Sequence, residues 1–168
     1  MAINKIQAFL TELEREPETA IRKFEDNEEL RDMLRAADLR EITGDTTVHD
    51  KLLNISYDLA VQALNQQAGS EGMLLNALRV LVIEDFFIDY RDSYIRLALI
   101  SHVAAKRKTS DERLLSAVKP LASERALAHL ERFFSQSKAE RSLKAFGLQE
   151  VREHGELSVR VIPPPVIR

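Results

Sequence analysis

The sequence predicts a mainly α-helical protein: a multi-helix bundle that closes with a short C-terminal β-hairpin and an extended, proline-containing tail. Three observations carry that expectation. Apolar residues recur three and four apart along most of residues 3–147, the spacing of one helix face. The breaks in that rhythm fall at Gly, Pro, Ser, Thr and Asp positions that start or stop helices. Only after Gly147 does the period change, with Leu157, Val159 and Val161 alternating with Ser158 and Arg160 in the pattern of a strand.

Taken in order, Ile3, Ile6, Leu10 and Leu13, with Phe9 beside them, predict an amphipathic helix over 3–15. Pro17 suits the first turn of the next helix, where its missing N–H would be unpaired anyway, and that helix runs through Phe24. Asp26 and Glu29 have capping-box spacing and open a third helix with Leu30, Met33, Leu34 and Ala37 inward. Gly44 and Thr47 in "ITGDTTVHD" mark a boundary. Residues 48–66 form a long helix, and Gly69 ends the segment before Ser70 restarts it. From Met73 to Tyr90 the apolar residues spread around most of the circumference, as in a central helix buried on several sides.

The next stretch continues through Ile95, Leu99 and His102 or Val103 as one bent helix or two, with Ser93 as the place expected for a break. Thr109 and Glu112 form a second capping-box pair, Pro120 interrupts the helix they open, and Ser123 restarts it. A last helical piece runs from Ser137, with Glu140 three residues on, to Gly147. The expected organisation is a three-helix unit at 1–44, a helical bundle at 45–147, and a hairpin with tail at 148–168.

Composition narrows the function classes. The 168 residues suffice for an unstapled core, and 30% charged with 45% hydrophobic residues is a globular balance. With 24 basic and 27 acidic residues the net charge is −3, so any nucleic-acid binding needs a local patch. No cysteine means no disulfide, thiolate nucleophile or thiolate metal site. The start "MAINKIQAFL" lacks a signal-peptide pattern, and a cytoplasmic location is expected. The longest apolar run, "LLNALRVLVIEDFFI", is broken by Asn76, Arg79, Glu84 and Asp85 and is too short and charged to span a bilayer, so no membrane association is expected. The five glycines form no GxGxxG or phosphate loop, and no cofactor is expected.

Asp85, Asp89 and Asp92 fall at i, i+4 and i+7, so one helix face presents three carboxylates that suit an oxygen-loving metal, with Arg96 one turn later. The competing reading is a solvated face with an Asp92–Arg96 ion pair. His49, His102, His129 and His154 show no HxH or HExxH spacing, and His102 reads as a satisfied core histidine. No Gly-x-Ser-x-Gly elbow accompanies Ser101 or Ser116. The run "KRK" at 106–108, with Arg113 and Lys119 downstream, is a thin basic patch beside the acidic "SDE" and reads as a solvated loop. Phe133, Phe134, Phe146 and the pair at 86–87 read as core, or as a docking groove where exposed.

The stretch "IQAFLTELEREPETAIRKFEDNEELRDMLRAADLREITGD", residues 6–45, resembles the small helical domain shared by two groups. One is the leader region of nitrogen-fixation-type and nitrile-hydratase-type precursors of modified peptides. The other is the small subunit of ring-opening extradiol dioxygenases. "FL" at 9–10, Pro17, Phe24 and "LRAADL" at 34–39 carry the resemblance, while Asp38 stands where a glycine is usual. No Gly-Gly or Gly-Ala junction leads into a Cys-, Ser- and Thr-rich core, so the chain does not read as a precursor itself. The resemblance implies an accessory subunit that docks on an enzyme or a peptide.

The expected function is therefore a non-catalytic accessory or recognition subunit binding a protein or peptide partner, in its sharpest form within a peptide-modifying metalloenzyme system. The residues expected to meet the partner are Leu157, Val159, Val161, Pro163, Pro164, Pro165, Val166 and Ile167, through strand pairing or polyproline docking. A tail packed on its own bundle is the competing reading. Two other classes stand beside this one: a metal-dependent enzyme using Asp85, Asp89 and Asp92, and a nucleic-acid binder whose hairpin serves as a wing.

Overall fold

The computed structural model describes residues 2–36, 48–66, 68–83 and 90–163. Among them the order is α1 (Ala2–Arg15), α2 (Pro17–Asp26), α3 (Glu28–Ala36), α4 (Val48–Asn65), α5 (Ser70–Leu81), α6 (Tyr90–Arg107), α7 (Asp111–Val118) and α8 (Glu124–Ser135). A 3₁₀ turn at Lys144–Phe146 then leads into β1 (Leu148–Glu153) and β2 (Glu156–Val161), an antiparallel pair. The chain is mainly helical with a C-terminal hairpin, as the change of period at Gly147 predicts. No helix among the described residues is long and apolar enough to cross a membrane. The boundary expected at Gly44 and Thr47 lies outside the described residues.

The core is one continuous cluster. Ile6, Phe9, Leu10 and Leu13 of α1 meet Ala20, Ile21 and Phe24 of α2, with the Phe9 and Phe24 ring centres 6.1 Å apart. Through α1 and α2 this group joins α4 and α5, so the N-terminal helices share the bundle's core. Helix α5 is buried on nearly every side, residues 74–78 being enclosed without interruption, in line with its all-round apolar pattern. Polar side chains tie it in: Ser56 Oγ donates to Ala77 O at 2.8 Å, and Arg79 Nε reaches Ala117 O at 3.3 Å on α7.

Several boundaries differ from the sequence expectation by small shifts with local causes. Asn27, not Asp26, caps α3, its Oδ1 accepting the Leu30 N–H at 3.0 Å. Ser110, not Thr109, caps α7, its Oγ accepting the Arg113 N–H at 3.1 Å. Asn and Ser both reach the third N–H of a helix well, and in each case the better-placed neighbour takes the role. Ser123 caps α8 as expected, accepting from Ala126 N at 3.1 Å.

Two larger differences concern helix extent. The central helix expected over 73–90 stops at Leu81, and residues 84–89 lie outside the described residues. Ser93 does not break α6; it is buried inside a helix that runs unbroken from Tyr90 to Arg107, and four consecutive residues farther along that helix, Leu97–Ile100, are buried too. Ser137 and Glu140 do form their reciprocal pair, with Ser137 Oγ donating to Glu140 Oε1 at 3.0 Å and accepting its N–H at 3.2 Å. Beyond that pair the chain forms a set of turns ending in the 3₁₀ segment, in place of the expected α-helix to Gly147.

Arg141 anchors that irregular stretch. Its side chain is 5% exposed, its guanidinium grips Asp111 at 3.2 and 2.7 Å, and it lies 5.2 Å over the Phe134 ring. Arg141 is buried while Asp111 is half-exposed, so the pair fastens this stretch to the start of α7. Gly147, at φ 74, then reverses the chain so that the Leu148 N–H returns to Leu143 O at 2.9 Å.

Because α1 and α2 share the bundle's core, Phe24→Ala should cost about 3–5 kcal/mol and lower the midpoint of one cooperative transition. Chemical denaturation followed by circular dichroism and by aromatic fluorescence checks this. Separate transitions for the two probes would contradict a shared core.

Candidate functional site

The hairpin turns at His154 and Gly155, both at positive φ (53 and 82), the requirement of a two-residue type I′ turn. Leu148 pairs with Val161, Glu150 with Val159 and Arg152 with Leu157, so these six side chains share the face directed at the helices. The opposite face carries the Arg160–Glu153 ion pair.

Two helices hold that inner face. On α4, the Asn65 carboxamide behaves as an additional strand partner: its Oδ1 accepts the Leu157 N–H at 2.7 Å and its Nδ2 donates to Leu157 O at 2.8 Å. Farther upstream on the same helix, Tyr57 Oη donates to Val159 O at 3.4 Å. On α6, Glu150 Oε1 accepts from Lys106 Nζ at 2.6 Å and lies 2.9 Å from His102 Nε2. Burial pushes the Glu150 carboxyl up, but the hydrogen bonds from Lys106 and His102 and their nearby charge outweigh it and hold the group below its usual range.

Between α4, α6 and the hairpin runs a groove of about 370 Å³. Tyr57, Ile95, Leu99, Leu148, Val159 and Val161 supply its apolar walls. Arg96 stands at one side, its Nε donating to Leu53 O at 3.3 Å and its guanidinium 5.8 Å over the Tyr57 ring. Val161 overhangs the groove at 73% exposure, followed by Ile162 at 37%.

The ladder leaves part of β2 open. Ile162 N–H donates to Gly147 O at 2.7 Å, which marks the even-numbered residues of β2 as those bonded to β1. Odd-numbered residues therefore turn their backbone groups outward. Leu157 satisfies both on Asn65 and Val159 its carbonyl on Tyr57, while Val161 lies beyond both helical partners.

Of the residues expected to meet a partner, Leu157 and Val159 are partly buried against the protein's own core, and Val161 is exposed. Pro163 is exposed; Pro164, Pro165, Val166 and Ile167 lie outside the described residues. Asp85 and Asp89 also lie outside them, and Asp92 is half-buried on α6. Among the described residues no three His, Asp or Glu side chains converge to hold a metal ion.

His102 is no core histidine: it is half-buried and engaged with the hairpin, because β1 presents Glu150 to that face of α6. His129 Nδ1 lies 3.3 Å from Tyr94 Oη, and burial, then Arg132 and Arg125, lower its pKa. The basic run is not merely a solvated loop. Lys106 serves Glu150, and Arg107 donates to Ala63 O at 3.1 Å and Leu64 O at 2.7 Å at the C-terminal end of α4. Phe133 and Phe134 are buried, with Tyr94 stacked on Phe133 at 5.8 Å.

Asn65 and Glu150 carry no signal in the sequence that marks them as site residues. Asn65 stands 92 positions from Leu157, in a stretch that reads as the end of a helix, and no local pattern links the two. No family model, curated protein or solved structure matches the chain.

The depressed Glu150 carboxyl stabilises the fold in its ionised form. That contribution is complete above the ordinary carboxylate range and is lost as pH falls through the lower folded value. Glu150→Gln should therefore melt below the parent at neutral pH, and the gap should close as the pH is lowered. Melting curves for both proteins across a pH series check this; a constant gap would contradict it.

Proposed function

We propose that the protein is a non-catalytic recognition subunit that binds an extended, apolar segment of a partner protein or peptide in the groove beneath the hairpin. One observation carries this reading: an apolar groove opens directly onto an outward-facing strand edge at Val161. An extended segment laid along that edge bonds backbone to backbone and drops alternate side chains toward Leu99 and Leu148. Arg96 supplies the polar anchor, so the partner segment carries a carboxylate next to its apolar run.

More narrowly, the partner is a component of a peptide-modifying metalloenzyme system. The likeness of residues 6–45 to the helical domain of modified-peptide leaders supports that setting.

Peptide display selection on the whole protein tests the reading. Enriched peptides should alternate apolar residues and carry an acidic group. Val161→Asp should weaken them at least tenfold, and Arg96→Gln should weaken acidic peptides more than their amide-capped forms. Failure to enrich any sequence, or equal binding to Val161→Asp, would overturn it.

A further inference from the structure

A second cavity, also of about 370 Å³, lies on another face of α6 near its C-terminal end. Its walls come from Ser101 and His102 on α6, Thr109 and Ser110 at the entrance to α7, and Lys138 and Arg141 from the segment after α8. This is a separate site from the hairpin groove, and its chemistry is different.

The backbone explains how Thr109 comes to line it. Helix α6 ends with Lys108 at φ 58, its N–H returning to Ala105 O and the Thr109 N–H to Ala104 O at 2.9 Å. This closing turn draws Thr109 inward until it is 9% exposed, while Oγ1 has no partner among the described residues. Arg141 Nε is enclosed and unpartnered in the same way. Buried polar atoms normally find a partner, and two residues of this one wall each carry an atom that has none among the described residues.

The surplus is of donors and of positive charge. Ser110 Oγ already accepts the Arg113 N–H, leaving its hydroxyl proton to give. The first turn of α7 opens at this wall with its unbonded N–H groups and positive dipole end. Asp111, the acid lining the cavity, is neutralised by Arg141. His102 is engaged by Glu150, whereas the Lys138 ammonium is paired with no acid among the described residues. The balance is one uncompensated cation amid hydroxyl and N–H donors, which suits a tetrahedral oxyanion better than a metal or an apolar group.

The volume lies in the lower part of the roughly 300–1,000 Å³ typical of small-molecule sites. We infer that this cavity binds a small phosphorylated molecule, its phosphate held between Lys138, Thr109 and the entrance to α7, with its organic part along α6.

Titration of the full chain with inorganic phosphate, glycerol 3-phosphate, glucose 6-phosphate and adenosine monophosphate, followed by amide chemical shifts, tests this. At least one ester should shift residues 109–112 and 138–142 saturably and bind tenfold or more tighter than inorganic phosphate. Lys138→Ala, an exposed change, and Thr109→Val should each weaken it several-fold while the remaining amides keep their positions. Absence of saturable shifts, equal affinity for inorganic phosphate and every ester, or undiminished binding by Lys138→Ala would overturn the inference.

Discussion

An isolated two-stranded hairpin is at best marginally stable in water, and here one asparagine changes its circumstances. The Asn65 carboxamide gives Leu157 the two hydrogen bonds that a third strand would provide, and it does so from the end of a helix packed in the core. Asn65 Nδ2 also donates to Val61 O at 3.0 Å, which fixes the amide relative to its own helix. Arg107 then ties the end of α4 to α6, so the helix that carries Asn65 and the helix that carries His102 and Lys106 are held in one arrangement.

That docking creates the features available for binding. Glu150 on one strand and Leu157 on the other are held to different helices, so the sheet straddles α4 and α6 and leaves an apolar channel beneath it. Where the helical partners end, Val161 carries the sheet's edge and an apolar side chain past the body of the protein. The same helix α6 contributes to the polar cavity near its C-terminus, where His102 serves as cavity wall on one side and as partner to Glu150 on the other. Apolar and polar sites are thus built against one helix from different sets of neighbours.

Much of this architecture is legible in the sequence. The apolar stripes of α1, α2 and α4, the restart at Ser123 and the hairpin after Gly147 are all local patterns, and local patterns survive into the structure. Helix limits are less legible where a polar residue is buried within a helix, as at Ser93, or where neighbouring residues compete for one cap, as at Asn27 and Ser110. Alternation reveals the inner face of the hairpin, but not what that face meets. Asn65, Glu150 and Arg141 act through partners distant in sequence, and each resembles an ordinary surface polar residue until the chain is folded.

Asn65 holds the hairpin on the helical platform, and native-state hydrogen exchange at the Leu157 amide tests that role most directly. The Leu157 N–H, facing away from β1, should be protected like a sheet-interior amide, and Asn65→Ala should abolish that protection while amides of α5 and α6 keep theirs. A Leu157 amide that exchanges at the free-peptide rate in the parent protein, or one indifferent to Asn65→Ala, would contradict it.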